Sequence, residues 1–305
     1  MHALRFFRGV SRGRADRKHQ TEWLPRDLAR YAGNRLLAPL DRVLQRRLGR
    51  PDLPIGFIVC VPRSGGTVLY QLLARHLDVA YINNRMARYW AAPVIGAWLH
   101  GQQARASIAL QSDYGRSAGP AGPHEFAWFW HHHGGFEESD ELSETELAAI
   151  DGDAVRTALQ GIAGLARRPL LVKSIDYVNY QIAWVKRQIP TAKFIWIERD
   201  VARVLPSIVR ARETENRDPQ AWWSTRPRDF RIWRNRSVAA QAQHQIEDVR
   251  AAIARGLAAI PAGDSLRVTH EELVAAPAEV VARAAALLET SIVDAEALAN
   301  LRLGA

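Results

Sequence analysis

The sequence predicts an α/β fold, a central parallel β-sheet with helices on both faces, preceded by a helical extension. Three observations carry that expectation. Short apolar runs recur between segments of helical periodicity from Pro54 onward, and strands that are apolar throughout belong to sheets covered on both faces. Ile55–Thr67 runs from such a strand into a small-residue turn, Pro62-Arg-Ser-Gly-Gly-Thr67, and Val68–Leu77 continues as a helix. Finally, 305 residues suffice to bury a large core, and one α/β domain with additions is the economical reading.

Residues 1–53 read as a basic helical N-terminal extension, with leucines at helical spacing among arginines in Leu24–Leu48. Two roles fit it: docking on an anionic surface, or a helical cap on the core, and the cap is the simpler. The α/β domain spans 54–305. Its strands are expected at Ile55–Val61, Val79–Ile82, Pro169–Val172, Phe194–Ile197 and Leu266–Thr269. Its helices are expected at Thr67–Leu77, Asn179–Ile189, Val201–Arg212, Phe230–Leu257 and Ala278–Leu288. Ser143 and Glu146 form a capping-box pattern that opens a further helical region toward Ala166. A long insertion, about residues 83–151, separates the second and third strands and carries Trp90, Trp98, Trp128 and Trp130. Ligands of open α/β sheets bind beyond the C-terminal strand ends, where such insertions gather. The tryptophans either line a pocket there or form a local hydrophobic cluster.

Charge and composition narrow the class. The formal net charge is +9, and of 41 basic residues only Lys18, Lys173, Lys186 and Lys193 are lysines. A basic balance suits anionic partners without choosing among them, and an Arg/Ala-rich chain is equally what genomic base composition produces. The single cysteine, Cys60, lies in the first strand, which excludes a disulfide within the chain and suggests an inert thiol. No run of about 18 apolar residues occurs, and the N-terminus lacks a hydrophobic signal core. A soluble, cytoplasmic protein is expected.

The turn after the first strand is where chemistry is most legible. Backbone N–H groups converge at a strand–glycine–helix junction, and the helix dipole adds partial positive charge, so the junction holds phosphate. It is not a Walker A loop: Gly-Lys-Ser/Thr is missing and the cation, Arg63, precedes Gly65 and Gly66. A second element follows at Lys193–Asp200, where a strand delivers Arg199 to its edge and Ser207 comes eight residues later on a helix. Guanidinium and hydroxyl in that arrangement reach one phosphate. Alone, the pair would read as a surface Arg and an ordinary helical Ser. Two anion sites together imply a ligand with phosphates at two ends.

These residues resemble the sulfotransferases that use 3′-phosphoadenosine-5′-phosphosulfate (PAPS). Pro62-Arg-Ser-Gly-Gly-Thr67 is similar to their 5′-phosphosulfate loop, in the arginine-bearing branch that includes many bacterial members. Arg199, Asp200 and Ser207 match the spacing of their 3′-phosphate element. His270-Glu-Glu-Leu273 resembles their late Tyr-Glu-Asp-Leu segment, with His for Tyr. The resemblance covers about residues 54–290 and implies a P-loop-like sheet with the insertion on the acceptor side. It implies that Ser64, Gly65, Gly66 and Thr67 cradle the 5′-phosphate, with Val68 and His270 near the adenine. Arg63 would offset charge on the departing phosphate, and Lys173, closing its strand, would touch the sulfuryl group. The implied co-substrate is PAPS, without a metal.

The base must come from elsewhere, because the branch's Glu after the second strand is missing from Tyr81-Ile-Asn-Asn-Arg85. His124-Glu125, ahead of the aromatic run Phe126–Trp130, is the best replacement: Glu125 as the base, because a carboxylate against aromatics is desolvated toward a useful base, and His124 as the catalytic neighbour able to substitute for it or orient it. A structural Glu that caps a helix or pairs with Arg fits as well. His131–His133 are consecutive and cannot converge on one ion, so no metal site is expected. The expected partner is a small-molecule, glycan or lipid acceptor bearing a hydroxyl, with no nucleic acid. Two alternatives are a P-loop nucleotide kinase or NTPase, which should show Gly-Lys-Ser/Thr, and a non-enzymatic basic module binding nucleic acid or membrane, which gives no reason for Arg199 and Ser207.

Overall fold

The computed structural model describes residues 24–102, 107–111, 114–135, 139–216 and 218–303. The expected elements appear in the expected order. Helix α1 (Leu24–Leu48) leads into strand β1 (Ile55–Val59) and helix α2 (Gly66–His76), then the short strand β2 (Ala80–Tyr81). The insertion carries α3 (Pro93–His100), α4 (Ala127–Gly134) and α5 (Glu144–Ala148), and α6 (Gly152–Ala166) returns the chain to β3 (Leu170–Lys173). Helices α7 (Ile175–Val178) and α8 (Ile182–Gln188) precede β4 (Ala192–Glu198), followed by α9 (Val201–Glu215), α10 (Phe230–Trp233) and α11 (Val238–Ala258). Strand β5 (Ser265–Thr269), α12 (His270–Ala275), α13 (Pro277–Leu287) and α14 (Ala295–Ala299) complete the domain.

Among the described residues the sheet has five strands in the order β2-β3-β1-β4-β5, all parallel. β1 is central, and the chain passes from β3 on one side of it to β4 on the other. A crevice therefore opens beyond the C-terminal ends of these strands. Successive side chains point to opposite faces. Phe57 and Val59 join Val172, Phe194 and Trp196 in one core, while Ile58 and Cys60 join Leu171, Ile195 and Ile197 in the other. Burial on both faces is why these strands read as continuous apolar runs.

Two expected helices are broken, each by a polar side chain that takes other partners. Asn179–Ile189 does not run as one helix, because the Asn179 side-chain amide brackets the Cys60 backbone, donating to its carbonyl at 2.8 Å and accepting from its N–H at 3.2 Å. The bracket extends edge pairing past β1 and shapes the exit into the turn. Phe230–Leu257 is interrupted before Val238, where Ser237 adopts an extended conformation and accepts from the Ala240 N–H. A serine offered a cap geometry competes with helix continuation. The Ser143–Glu146 capping box is formed on both sides, yet α5 stops at Ala148 and Asp151 caps α6 separately. Helix α1 is a single helix and caps the core through its inner face against α3 and α6.

Candidate active site

The turn after β1 is built from two left-handed residues. Arg63 has φ 71° and Gly65 has φ 93°. A left-handed arginine costs about 1–2 kcal/mol, so the surrounding contacts must hold it there. Gly65 and Gly66 are required by space as well as by conformation. A Cβ on Gly65 would lie 2.7 Å from His270 Cδ2, and one on Gly66 would lie 2.5 Å from Cys60 Sγ and 3.1 Å from Lys173 Cε. His270 therefore covers the turn from α12, and Lys173 reaches over it from β3. Helix α2 starts at Gly66, so its first N–H groups face the same turn.

The Arg63 Nε donates to Ser207 Oγ at 3.0 Å, so the two expected anion elements meet directly. Two insertion residues unmarked in the sequence also reach the turn. The Arg63 guanidinium lies 5.2 Å from the Tyr114 ring centroid, and Thr67 Oγ1 donates to Gly115 O at 3.3 Å. The next residue, Arg116, ties the insertion to α9 by pairing at 3.0 Å with the buried Glu215. Val68, the third residue of α2, is partly buried against the core beside the turn.

Arg199 follows β4 and lines a crevice with Ser64, Val61, Val204 and Arg250. Its Nε is buried with no hydrogen-bond partner among the described residues. The adjacent Glu198 cannot serve it, because Glu198 already binds Arg250 at 3.2 Å and also Arg267. A buried unsatisfied donor is costly, and an anion in the crevice would complete it. Burial, with the Arg199 charge behind it, holds His270 below the ordinary imidazole range. Burial also pushes the Cys60 thiol up to about 11, which leaves it inert as expected.

Lys173 is buried, and its Nζ binds Glu125 Oε1. Burial pulls the ammonium toward neutrality, but the Glu125 carboxylate opposes it and holds Lys173 above the ordinary lysine range. The expected surroundings of Glu125 need correcting. Its carboxylate meets a cation rather than an aromatic wall, because Phe126, with φ 59°, turns the chain and sends Phe126, Phe129 and Trp130 into the core. Of the insertion tryptophans, Trp90 and Trp130 belong to the hydrophobic cluster, while Trp98 is exposed. His124 is fixed by its own backbone: Nδ1 accepts from the Phe126 N–H at 2.9 Å, leaving the proton on Nε2. Burial lowers the His124 pKa despite the neighbouring Glu125.

How Glu125 arrives is the main finding that sequence reading missed. The His124 N–H donates to Ile82 O at 2.8 Å, the Asn84 N–H donates to Gly122 O at 3.0 Å, and Asn83 bridges Pro123 in antiparallel fashion. The insertion thus returns alongside the chain just after β2 and delivers a carboxylate beside a segment that has none. Asp176, three residues after Lys173, was missed too. It accepts from Ser224 Oγ and Thr225 Oγ1 at 3.2 and 3.1 Å, and burial, then Glu125, hold it above the usual carboxylate range. A carboxylate just past a strand-ending lysine was the available signal. The described residues contain no group of three or more His, Cys, Asp or Glu placed to hold a metal.

A family model described as the sulfotransferase family matches residues 54–294. The chain belongs to the sulfotransferase family. Sulfotransferase STF1 from Mycobacterium tuberculosis H37Rv is similar in structure, with a TM-score of 0.53 at 13% identity over 86% of this chain and 77% of that one. Sulfotransferase STF9 from Mycobacterium avium is similar with a TM-score of 0.55 at 15% identity, over 81% and 67% of the two chains. At these identities the likeness concerns the fold. No curated protein gives a significant sequence match. The sulfotransferase has, among its described residues, no helix long and apolar enough to cross a membrane. Lys193, conspicuous among so few lysines, is a structural residue: it and Lys186 both pair with Asp264.

Proposed function

We propose that this sulfotransferase moves a sulfuryl group from PAPS to the hydroxyl of a small-molecule acceptor by in-line displacement. One observation carries the reading: Lys173 and Glu125 stand together at the lip of the anion-binding turn, a cation and a base side by side. PAPS supplies an activated sulfuryl group on a phosphate leaving group, and two features fit it. The turn has no room for a side chain at Gly65 or Gly66, and the buried Arg199 Nε awaits an acceptor.

Each residue then has a task. Glu125 takes the acceptor proton as the hydroxyl oxygen bonds to sulfur. The electron pair of the breaking S–O bond leaves with the 5′-phosphate. Lys173, Arg63 and the N–H groups of Ser64–Thr67 offset the charge that grows on that oxygen. These cations do what a metal ion does in kinases, so turnover should not depend on added Mg²⁺. Arg199 and Ser207 hold the 3′-phosphate, and His270 and Val68 border the adenine. His124 orients the Glu125 segment, since its Nδ1 is already occupied by the Phe126 N–H.

Glu125→Gln keeps shape but removes the basic oxygen. It should cut turnover by about 10²–10⁴-fold, with calorimetric affinity for adenosine 3′,5′-bisphosphate unchanged. Near-normal turnover in this variant would place the base elsewhere. Loss of activity on EDTA treatment, restored by Mg²⁺, would favour a kinase instead.

A further inference from the structure

Helix α1 lies wholly outside the residues that match the family model, and its two faces are chemically unlike. The inner face is engaged, with Ala38 and Leu44 packed against the core beside buried polar residues. Asn34 binds Arg88 O and the Ala91 N–H, Asp41 accepts from the Ile95 N–H, and Tyr31 packs on Trp90. The outer face is apolar and exposed. Leu36, Leu40 and Val43 recur at helical spacing and are 80%, 55% and 44% exposed. Exposed Ala29 and Ala32 extend the same stripe toward the N-terminus.

Charge identifies what this stripe fits. Exposed Arg35, Arg42 and Arg46 run along one flank and Arg47 stands at its C-terminal end. Within residues 28–48 the one carboxylate is Asp41, which is buried on the inner face. Helix α3, packed against α1, adds Trp98, which is 69% exposed, and the exposed Leu99. Leucine, valine and tryptophan beside arginines are the composition of a helix lying in a membrane interface, where apolar side chains enter the acyl boundary and cations meet anionic headgroups. A second copy of the chain is the poorer partner, because pairing two such faces brings rows of like charge together.

We propose that the outer face of α1 docks on the anionic surface of a lipid bilayer, with the helix lying in the plane of the headgroups. The placement has a consequence for the acceptor side. Tyr31 on α1 contacts Trp90, and Trp90 contacts His132 on α4, the helix that begins just after Glu125. Docking through α1 holds the insertion close to the lipid surface.

The test uses the full-length protein and flotation with vesicles of mixed phosphatidylglycerol and phosphatidylcholine, against phosphatidylcholine alone. The native protein is expected to float with the anionic vesicles and to be released by high salt. A Leu36→Ser/Leu40→Ser/Val43→Ser variant should lose binding by about tenfold or more. An Arg35→Gln/Arg42→Gln/Arg46→Gln variant should lose about as much on anionic vesicles and change little on neutral ones. Both keep residues 1–23, so undiminished binding in both variants would overturn the proposal and place any lipid contact elsewhere. A native protein that stays with the buffer would overturn it too. So would sedimentation of the native protein as a dimer that the leucine variant dissociates, which would give the face to a second copy. Unchanged circular-dichroism melting in both variants shows that lost flotation is lost docking, and a variant that melts early is replaced by its single substitutions, of which Leu36→Ser is the most exposed.

Discussion

On the proposed phosphate side of the site, each group comes from a strand or from the turn or helix that immediately follows it: Arg63–Thr67 after β1, Lys173 at the end of β3, Arg199 and Ser207 after β4. On the proposed base side, Glu125 and His124 come from an insertion of about seventy residues, stitched to the sheet where residues 122–124 pair with 82–84. The first region is placed by the sheet ladder, whose spacing is fixed by backbone hydrogen bonding. The second is placed by a few tertiary contacts. The two should therefore fail differently: changes on the phosphate side should reach nucleotide affinity, and changes on the base side should reach turnover alone.

The largest expected effect tests where the two regions touch. Lys173→Ala and Glu125→Gln should each lower kcat by about 10²–10⁴-fold. Because the two side chains form one ion pair, the double variant should be little worse than the worse single one. Losses that multiply would mean that the residues act independently and that their contact is incidental.

Next in size is Arg199→Ala, which removes a charge-assisted contact of about 1.5–3 kcal/mol. The preference for adenosine 3′,5′-bisphosphate over 5′-AMP should fall by about 10–100-fold in calorimetry. Equal affinity of the two nucleotides for the native protein would remove the 3′-phosphate from this crevice.

Asn83→Ala sharpens the contrast from the insertion side. The buried Asn83 side chain donates to His100 O and accepts from the Arg85 and Met86 N–H groups. Its loss should lower stability by about 1–3 kcal/mol and reduce kcat by loosening the stitch that carries Glu125. Nucleotide affinity should hold. A variant that loses affinity instead would show that the insertion also shapes the phosphate turn.

The smallest effect is on stability against pH. Burial holds His76, His124 and His270 below the ordinary imidazole value of 6.5. Below that value the unfolded chain binds more protons than the folded one, so stability is full above about pH 6.5 and falls as pH drops toward the folded values. Thermal melts should fall in that window, and His124→Asn should flatten the slope. A slope unchanged by the substitution would assign it to the other two rings.

Much of this was legible in the residues themselves. Continuous apolar strands, the glycine turn and the spacing from Arg199 to Ser207 each have a local cause in backbone geometry, so sequence alone determined the α/β order and set Arg63–Thr67, Arg199 and Ser207 just beyond the strands that carry them. Glu125 was readable as a candidate, but its surroundings were not: Phe126–Trp130 suggested an aromatic wall, and the carboxylate turned out to face Lys173. Nothing in Tyr114 or Gly115 marks them as neighbours of Arg63 and Thr67. Nor does the spacing of Leu36, Leu40 and Val43 tell which face of α1 is buried. Partners distant in the chain are chosen by packing, and packing depends on the summed shape and charge of all the elements. The strands and turns were settled by local chemistry, while the pairing of Glu125 with Lys173 and the exposed apolar face of α1 were decided only by the folded whole.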